Sequence, residues 1–194
     1  MVLDYAWMRK VADELSEYAE HLEGSWSVEI GAGGPVMAMM SPVNRHERIA
    51  GRIRDQINQQ IASTHPGWIA ETGPEVEDPQ IGRMRRPDVL VCEESALDSD
   101  RDSLAPDEVL ACVEVVSKSN PSNDYVEKMA DYPAMGIGLY LIVDPRDGTI
   151  TVHDEPCHGT YRHSEPYIFG DTVTFGAWSI DTSAFRRYGK IGDA

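Results

Sequence analysis

With 194 residues, 41% of them hydrophobic, the chain can build one domain, residues 1–194, around one core. A net charge of −16 excludes a protein that simply coats nucleic acid, and three scattered cysteines exclude a disulfide framework. No run of about 18 apolar residues is present, the first 23 residues are too acidic for a signal peptide, and a reducing, cytoplasmic setting is expected.

Leu3, Trp7, Val11, Leu15, Tyr18 and Leu22 recur at helical spacing, which predicts an amphipathic helix over 4–22. Alternation over 26–30 and again over 36–40, with a glycine-rich turn between them, predicts a hairpin. Ser41-Pro42 reads as a helix start, an N-cap followed by proline at the first position. Ile49, Ile53, Ile57 and Ile61 mark one stripe of the helix that follows, which His65-Pro66-Gly67 ends. Short strands are expected over 68–71 and 75–77, then a clear one over 87–92. A polar loop should fill 93–106. Residues 109–116 are the most apolar strand, which suggests a central sheet position. A helix over 123–135, a buried strand over 139–143 and an Asp147-Gly148 turn into 149–153 complete the main elements. The tail reads as short β-like pieces. The fold class is mixed α/β (α+β), a central sheet flanked by helices.

Charge is unevenly distributed. Residues 41–86 hold seven Lys/Arg and six Asp/Glu, a balance of +1, so the rest of the chain carries −17. A phosphate-binding face can survive locally inside such a protein, although the acidity also serves solubility.

Three features carry chemistry. Asp88 opens an apolar strand in Arg85-Arg86-Pro87-Asp88-Val89-Leu90-Val91. Glu114 sits inside Val113-Glu114-Val115-Val116, where a carboxylate is costly unless it is paired or binds a metal. Lys128 falls on one helix face with Tyr125, Met129 and Tyr132, the face that should pack inward. Two carboxylates on neighbouring strands suit Mg²⁺, which takes oxygen ligands and leaves room for water and phosphate. A lysine adds positive charge where a phosphoryl transition state gathers negative charge. Each residue also has a structural alternative. Asp88 could cap a turn, Glu114 could pair with a buried arginine, and Lys128 could pair along its helix with Asp124 or Asp131.

The ordered set of these segments resembles the Uma-two family of putative restriction endonucleases, within the PD-(D/E)XK nuclease superfamily. The resemblance covers about 26–152. It rests on Val28-Glu29-Ile30, Met40-Ser41-Pro42 with His46, Arg86-Pro87-Asp88-Val89, and Val113-Glu114-Val115-Val116-Ser117. Asp124 with Lys128 and Tyr132, then Tyr140-Leu141-Ile142-Val143-Asp144-Pro145, complete it. It implies a restriction-endonuclease-like fold with a four-stranded core sheet. It also implies Mg²⁺, replaceable by Mn²⁺, held by Asp88, Glu114 and the Val115 backbone carbonyl. Glu29 matches the acidic residue near the first core helix, and His46 matches a family histidine, which is either a site residue or a satisfied core histidine. Val116 stands where the superfamily usually carries lysine, and Lys128 matches a lysine moved to the next helix. The turn Gly31-Ala32-Gly33-Gly34-Pro35 is looser than the family's single glycine, and Pro133 should kink or end the helix that carries Lys128.

The resulting expectation is a Mg²⁺-dependent endonuclease acting on DNA, with Asp88, Glu114, Lys128, Glu29 and His46 as its catalytic set. Arg45, Arg48, Arg52, Arg85 and Arg86 would contact the phosphate backbone, and a homodimer would supply one cut per strand. The alternative is a catalytically inactive nucleic-acid-binding or protein-interaction module on a nuclease fold. Gly31 to Gly34 lack the residues of a phosphate loop. His153, Cys157, His158 and His163 fit no standard zinc spacing, and Ser117 lies in no GxSxG motif.

Overall fold

The computed structural model describes residues 4–39, 44–118 and 120–189. Helix α1 (Tyr5–Ala19) is capped by Asp4, whose carboxylate accepts from the Ala6 N–H. Its packing face follows the expected stripe in part, since Leu15 joins it. Met8 and Ala12 are buried against Val28, Ile30 and Met84, whereas Trp7 and Tyr18 are 53% and 57% exposed. The smaller side chains let the helix lie close to the sheet, and the aromatics face outward. Leu3 of that stripe lies outside the described residues.

Strands β1 (Trp26–Gly31) and β2 (Gly34–Met39) form the expected hairpin, with Trp26 opposite Met39 and Gly31 opposite Gly34. Its turn is therefore tight, only Ala32 and Gly33, not loose. Gly31 also leaves room for a neighbour: a Cβ there would lie 3.0 Å from the Arg85 guanidinium, which would have to shift.

Helix α2 (Asn44–Thr64) buries Ile49, Ile53, Ile57 and Ile61, the predicted stripe. The Ser41-Pro42 start falls outside the described residues. Beyond it come β3 (Trp68–Glu71), β4 (Glu75–Asp78), β5 (Arg83–Arg85) and β6 (Val89–Glu93). The expected polar loop at 93–106 instead holds a short 3₁₀ turn (Glu94–Asp98) and β7 (Ser103–Leu104), because Ala96 and Leu104 are buried. Then follow β8 (Val109–Val115), a stretch of wide π-type turns (Asn123–Lys128), α3 (Met129–Met135), β9 (Leu139–Asp144) and β10 (Thr149–Cys157). The tail supplies β11 (Thr160–Ile168), β12 (Thr172–Phe175) and β13 (Trp178–Asp181).

One sheet has the order β2-β1-β5-β4-β7, and a second has β11-β10-β9-β8-β6-β3. The resemblance implied four core strands. Here β3 and β11 extend a central four, one at each edge, to six. Within this sheet only β8 and β9 run parallel.

Side-chain parity divides its two faces. Val89, Val91, Ala111, Val113, Val115, Leu141 and Val143 face α2 and the β12–β13 ribbon. Leu90, Cys92, Cys112, Val116, Tyr140 and Ile142 face α3. Asp88 and Glu114 share the parity of this second set, so Glu114 points toward the helix that bears Lys128.

α2 also covers strand edges through paired amides. Gln56 bonds both backbone groups of Asp181 (2.7 and 3.1 Å), and Gln60 bonds both of Ser179 (3.0 and 2.9 Å). Asn58 does the same for Ala70 (2.8 and 2.9 Å).

Ile53→Ala should cost about 2–5 kcal/mol through the cavity it leaves, whereas Trp7→Ala should change stability by about 0.5 kcal/mol or less, as exposed positions do. Urea denaturation of both variants checks the assignment of the two helix faces, and a large loss for Trp7→Ala would contradict it.

Candidate active site

The strand register carries Asp88 to a place opposite Glu114, since Val89 already pairs with Val113. Both residues line one open cleft together with Glu29, His46, Arg86, Asp124 and Lys128. Hairpin β1–β2 forms one wall, the start of α2 another, and the π-type turns the third.

Lys128 is the centre of this arrangement. It is 4% exposed, and its Nζ lies 2.8 Å from Glu114 Oε1, 3.3 Å from Glu29 Oε1 and 3.9 Å from Asp124 Oδ1. It also donates to the Arg86 carbonyl at 3.4 Å. Tyr132, one helical turn further on, donates its hydroxyl to the same Glu114 oxygen at 2.5 Å. Tyr140 packs edge-on against Tyr132, with ring centroids 4.9 Å apart, and donates to the Asp124 carbonyl.

The wide turns explain how Lys128 reaches Glu114 despite Pro133. A proline in a helix cannot supply the N–H due to the carbonyl four residues back, here that of Met129, the first residue of α3. The helix is wide just before that point and ends at Gly136, whose φ of 82° suits glycine. Wide turns bring residues about four apart onto one side. Asp124, Lys128 and Tyr132 therefore point inward, while Tyr125, expected on that face, sits at the rim and donates to Asp144. Asp124, four residues before Lys128, is the helix partner that the spacing allowed, 3.9 Å away. Asp131, expected as a partner of Lys128, turns instead to Arg83 and Arg85.

Asp88 is held by two donors at one oxygen. Its Oδ2 accepts the Val115 N–H at 2.7 Å and lies 3.2 Å from His46 Nε2. It bridges neighbouring strands, not a local turn. His46 is buried, and its Nδ1 lies 3.4 Å from Glu47 without hydrogen-bond geometry. Glu29 spends both oxygens on cations and an amide: Oε1 on Lys128 and the Arg86 N–H (3.0 Å), Oε2 on Arg85 (2.9 Å). It positions Lys128 and the strand that leads to Asp88.

Arg85 departs from its expected role. It lines the cleft but is 2% exposed and engages Glu29, Glu127 and Asp131, so its charge is already met by carboxylates. It ties the hairpin wall to the helix wall. Arg45, Arg48 and Arg52 do lie on the outer face of α2, and Arg86 lines the cleft.

Four carboxylates, Glu29, Asp88, Glu114 and Asp124, crowd around one lysine. Burial pushes the Glu114 carboxyl well up, with Lys128 opposing and Asp88, Asp124 and Glu29 adding to the push. Burial also lifts Asp124 to about 7, again against Lys128. Burial alone would raise Glu29, but Lys128 and Arg85 bring it below the ordinary carboxylate range. Burial would lower Lys128, yet Glu114, Glu29, Asp124 and Asp88 outweigh it and keep the ammonium charged. His46 follows the same pattern: burial would lower it, and the bond and charge of Asp88 lift it to about 9. Glu29, Asp88, Glu114 and Asp124 thus share Lys128, Arg85 and His46 as the cations they face.

A family model described as Uma2, putative restriction endonuclease, matches residues 13–177. Among solved structures, a putative nuclease belonging to DUF820 from Anabaena variabilis ATCC 29413 is similar in fold. It is 16% identical with a TM-score of 0.60, over 82% of this chain and 87% of that one. No curated protein matches the chain.

Stability should be asymmetric across the central ion pair. Lys128→Met leaves buried carboxylates without their cation and should cost about 3–5 kcal/mol. Glu114→Gln should cost clearly less, because Lys128 keeps Glu29 and Asp124. Urea titration of the two variants measures this, and equal losses would refute it.

Proposed function

The chain belongs to the Uma2 family, described as putative restriction endonucleases, and from that premise we propose that it is a Mg²⁺-dependent nuclease that hydrolyses phosphodiester bonds of DNA. The observation that carries this reading is the buried Lys128 ammonium, 2.8 Å from Glu114 in a cleft that also holds Asp88.

The donor set suits a hard cation. Among the described residues no three Asp, Glu, His or Cys side chains form a ready metal cage. Mg²⁺ does not need one, because it commonly binds through one or two carboxylates and completes its shell with water and phosphate. Asp88, Glu114 and the Val115 carbonyl are the proposed ligands. The named contacts of Asp88 and Glu114 fall on a single oxygen of each, Oδ2 and Oε1. A bound metal ion would supply an activated water and offset charge on the scissile phosphate.

The chain's own groups have separate tasks. Lys128 presents positive charge to the oxygens on which negative charge builds as water attacks phosphorus and the 3′ oxygen leaves. Glu29 and Tyr132 hold the pair of Lys128 and Glu114 in place. His46 and the Val115 N–H fix the rotamer of Asp88 before substrate arrives. Arg45, Arg48, Arg52 and Arg86 are the proposed backbone contacts, without Arg85. A duplex has two strands, so a pair of copies would complete a double-strand cut.

Cleavage of supercoiled plasmid in Mg²⁺ or Mn²⁺ tests the proposal. Asp88→Asn and Glu114→Gln should abolish nicking, and Lys128→Met should slow it by about 10²–10³-fold, the usual effect of removing one electrostatic stabiliser. Calorimetry should show metal binding that disappears when Asp88→Ala and Glu114→Ala are combined. A wild-type protein that binds neither metal, with or without a duplex present, would overturn the enzyme reading in favour of an inactive module.

A further inference from the structure

Most cations of this acidic chain fall into two groups. Arg9, Lys10, Arg54, Arg83, Arg85, Arg101, Lys128 and Arg146 all face carboxylates. Among the described residues, Arg45, Arg48, Arg52, Arg86, Lys118, Arg162, Arg186 and Arg187 form no ion pair with a carboxylate; Arg86 lines the cleft, Arg162 lies on β11, and the other six belong to α2, Lys118 and segment 184–189. The segment 184–189 carries Arg186 and Arg187 and meets Arg45, Arg52 and Lys118. Arg52 donates to the Ala184 carbonyl at 2.6 Å, Arg45 to the Arg187 carbonyl, and Lys118 to the Gly189 carbonyl at 3.1 Å. Tyr188 anchors the segment, donating its hydroxyl to the Val116 carbonyl at 3.0 Å, and Lys118 lies over its ring. Arg187 covers Gly148, where any Cβ would collide with it.

These bonds go to neutral carbonyls, so the positive charges remain uncompensated. The nearest acids on α2 have other partners: Glu47 faces His46, and Asp55 faces Arg54. Gathering six unpaired cations in one strip of a protein of net charge −16 leaves a local potential suited to a polyanion. The strip also begins at the cleft. Arg45 adjoins His46, and Lys118 adjoins Ser117, both of which line it. Arg45, Arg48 and Arg52 follow one helix face for about 10 Å at 1.5 Å per residue, and the 184–189 segment widens that track.

We infer that segment 184–189 and Lys118 join the outer face of α2 as one track for a phosphodiester backbone, leading nucleic acid to the cleft. This rests on the nuclease reading for the identity of the polyanion, and it adds Lys118, Arg186 and Arg187, which the sequence did not assign to phosphate contact. The contacts are to phosphate, so the track sets affinity and path and not sequence preference.

Anisotropy of a labelled 20-base-pair duplex, titrated with the full chain in EDTA over a range of salt, tests the track. Combining Arg48→Gln, Lys118→Gln and Arg186→Gln should weaken binding about tenfold or more and flatten the salt slope by about 2–3, near 0.9 per lost contact. Arg162→Gln, on β11, should bind as wild type. Arg48→Glu alone, at a side chain with no partner to lose, repeats the test should the triple variant fold poorly. Unchanged binding and slope in these variants would overturn the track, as would a wild-type chain that binds no duplex. Asp88→Asn separates the two readings. Track variants that bind weakly, in a protein that cleaves in neither Mg²⁺ nor Mn²⁺, leave the track standing and remove the enzyme. Cleavage lost in Asp88→Asn with track variants that bind normally does the reverse.

Discussion

An ammonium group placed where water scarcely reaches is the constraint from which the rest of this architecture follows. Lys128 is tolerable there only because carboxylates meet it from several elements: Glu114 from the sheet, Glu29 from the hairpin and Asp124 from its own helix. Each acid must be delivered by a separate piece of chain, and each piece must be held. Arg85 does much of that holding, since it binds Glu29 on one side and Asp131 and Glu127 on the other. The two walls of the cleft are thus joined through charge, in a region where apolar packing alone would not fix the distance between them. A buried, hydrogen-bonded charge network is costly to assemble and costly to leave incomplete. Its presence beside an open cleft suits a site kept for chemistry over one kept for stability alone.

Elements with one clean periodicity were legible in the sequence. The isoleucine stripe of α2 and the apolar strands β6, β8 and β9 declare themselves because burial repeats at a fixed spacing. Asp88, Glu114 and Lys128 stood out for the related reason that each interrupts an apolar pattern. The packing face of α1 was partly hidden because Met8 and Ala12 are weaker signals than the exposed Trp7 and Tyr18. Strand β5 was hidden because half its charge is buried. No local pattern shows that Arg85 is neutralised by acids 46 and 56 residues away. Asp124 was legible as the residue four before Lys128, whereas its meeting with acids of the sheet and hairpin was not, because those come from distant parts of the chain. The tightness of the Ala32–Gly33 turn and the room left at Gly31 also depend on a partner strand and on Arg85, neither of which is local.

The division of arginines follows the same logic. Those near excess acid were consumed by it, and those on the outer face of α2 were left with only carbonyls to bind. Net charge therefore describes this protein poorly. The acidic bulk and the basic strip are separate surfaces, and the cleft lies at their junction.

The amide pairs of α2 have a consequence for how the chain is made. Asn58 finds Ala70 only 12 residues away, but Gln56 and Gln60 wait for Asp181 and Ser179, 125 and 119 residues away. The isoleucine stripe waits as well, since Phe175, Trp178 and Ile180 of the ribbon cover it. Contacts this distant in sequence close slowly, and a two-stranded ribbon does not persist alone. During that interval the nascent protein shows a greasy helix face, and β13, once formed, would offer an unpaired border. Aggregation is therefore a hazard of the unfinished chain, and the glutamines that later seal that border remove it from the mature one.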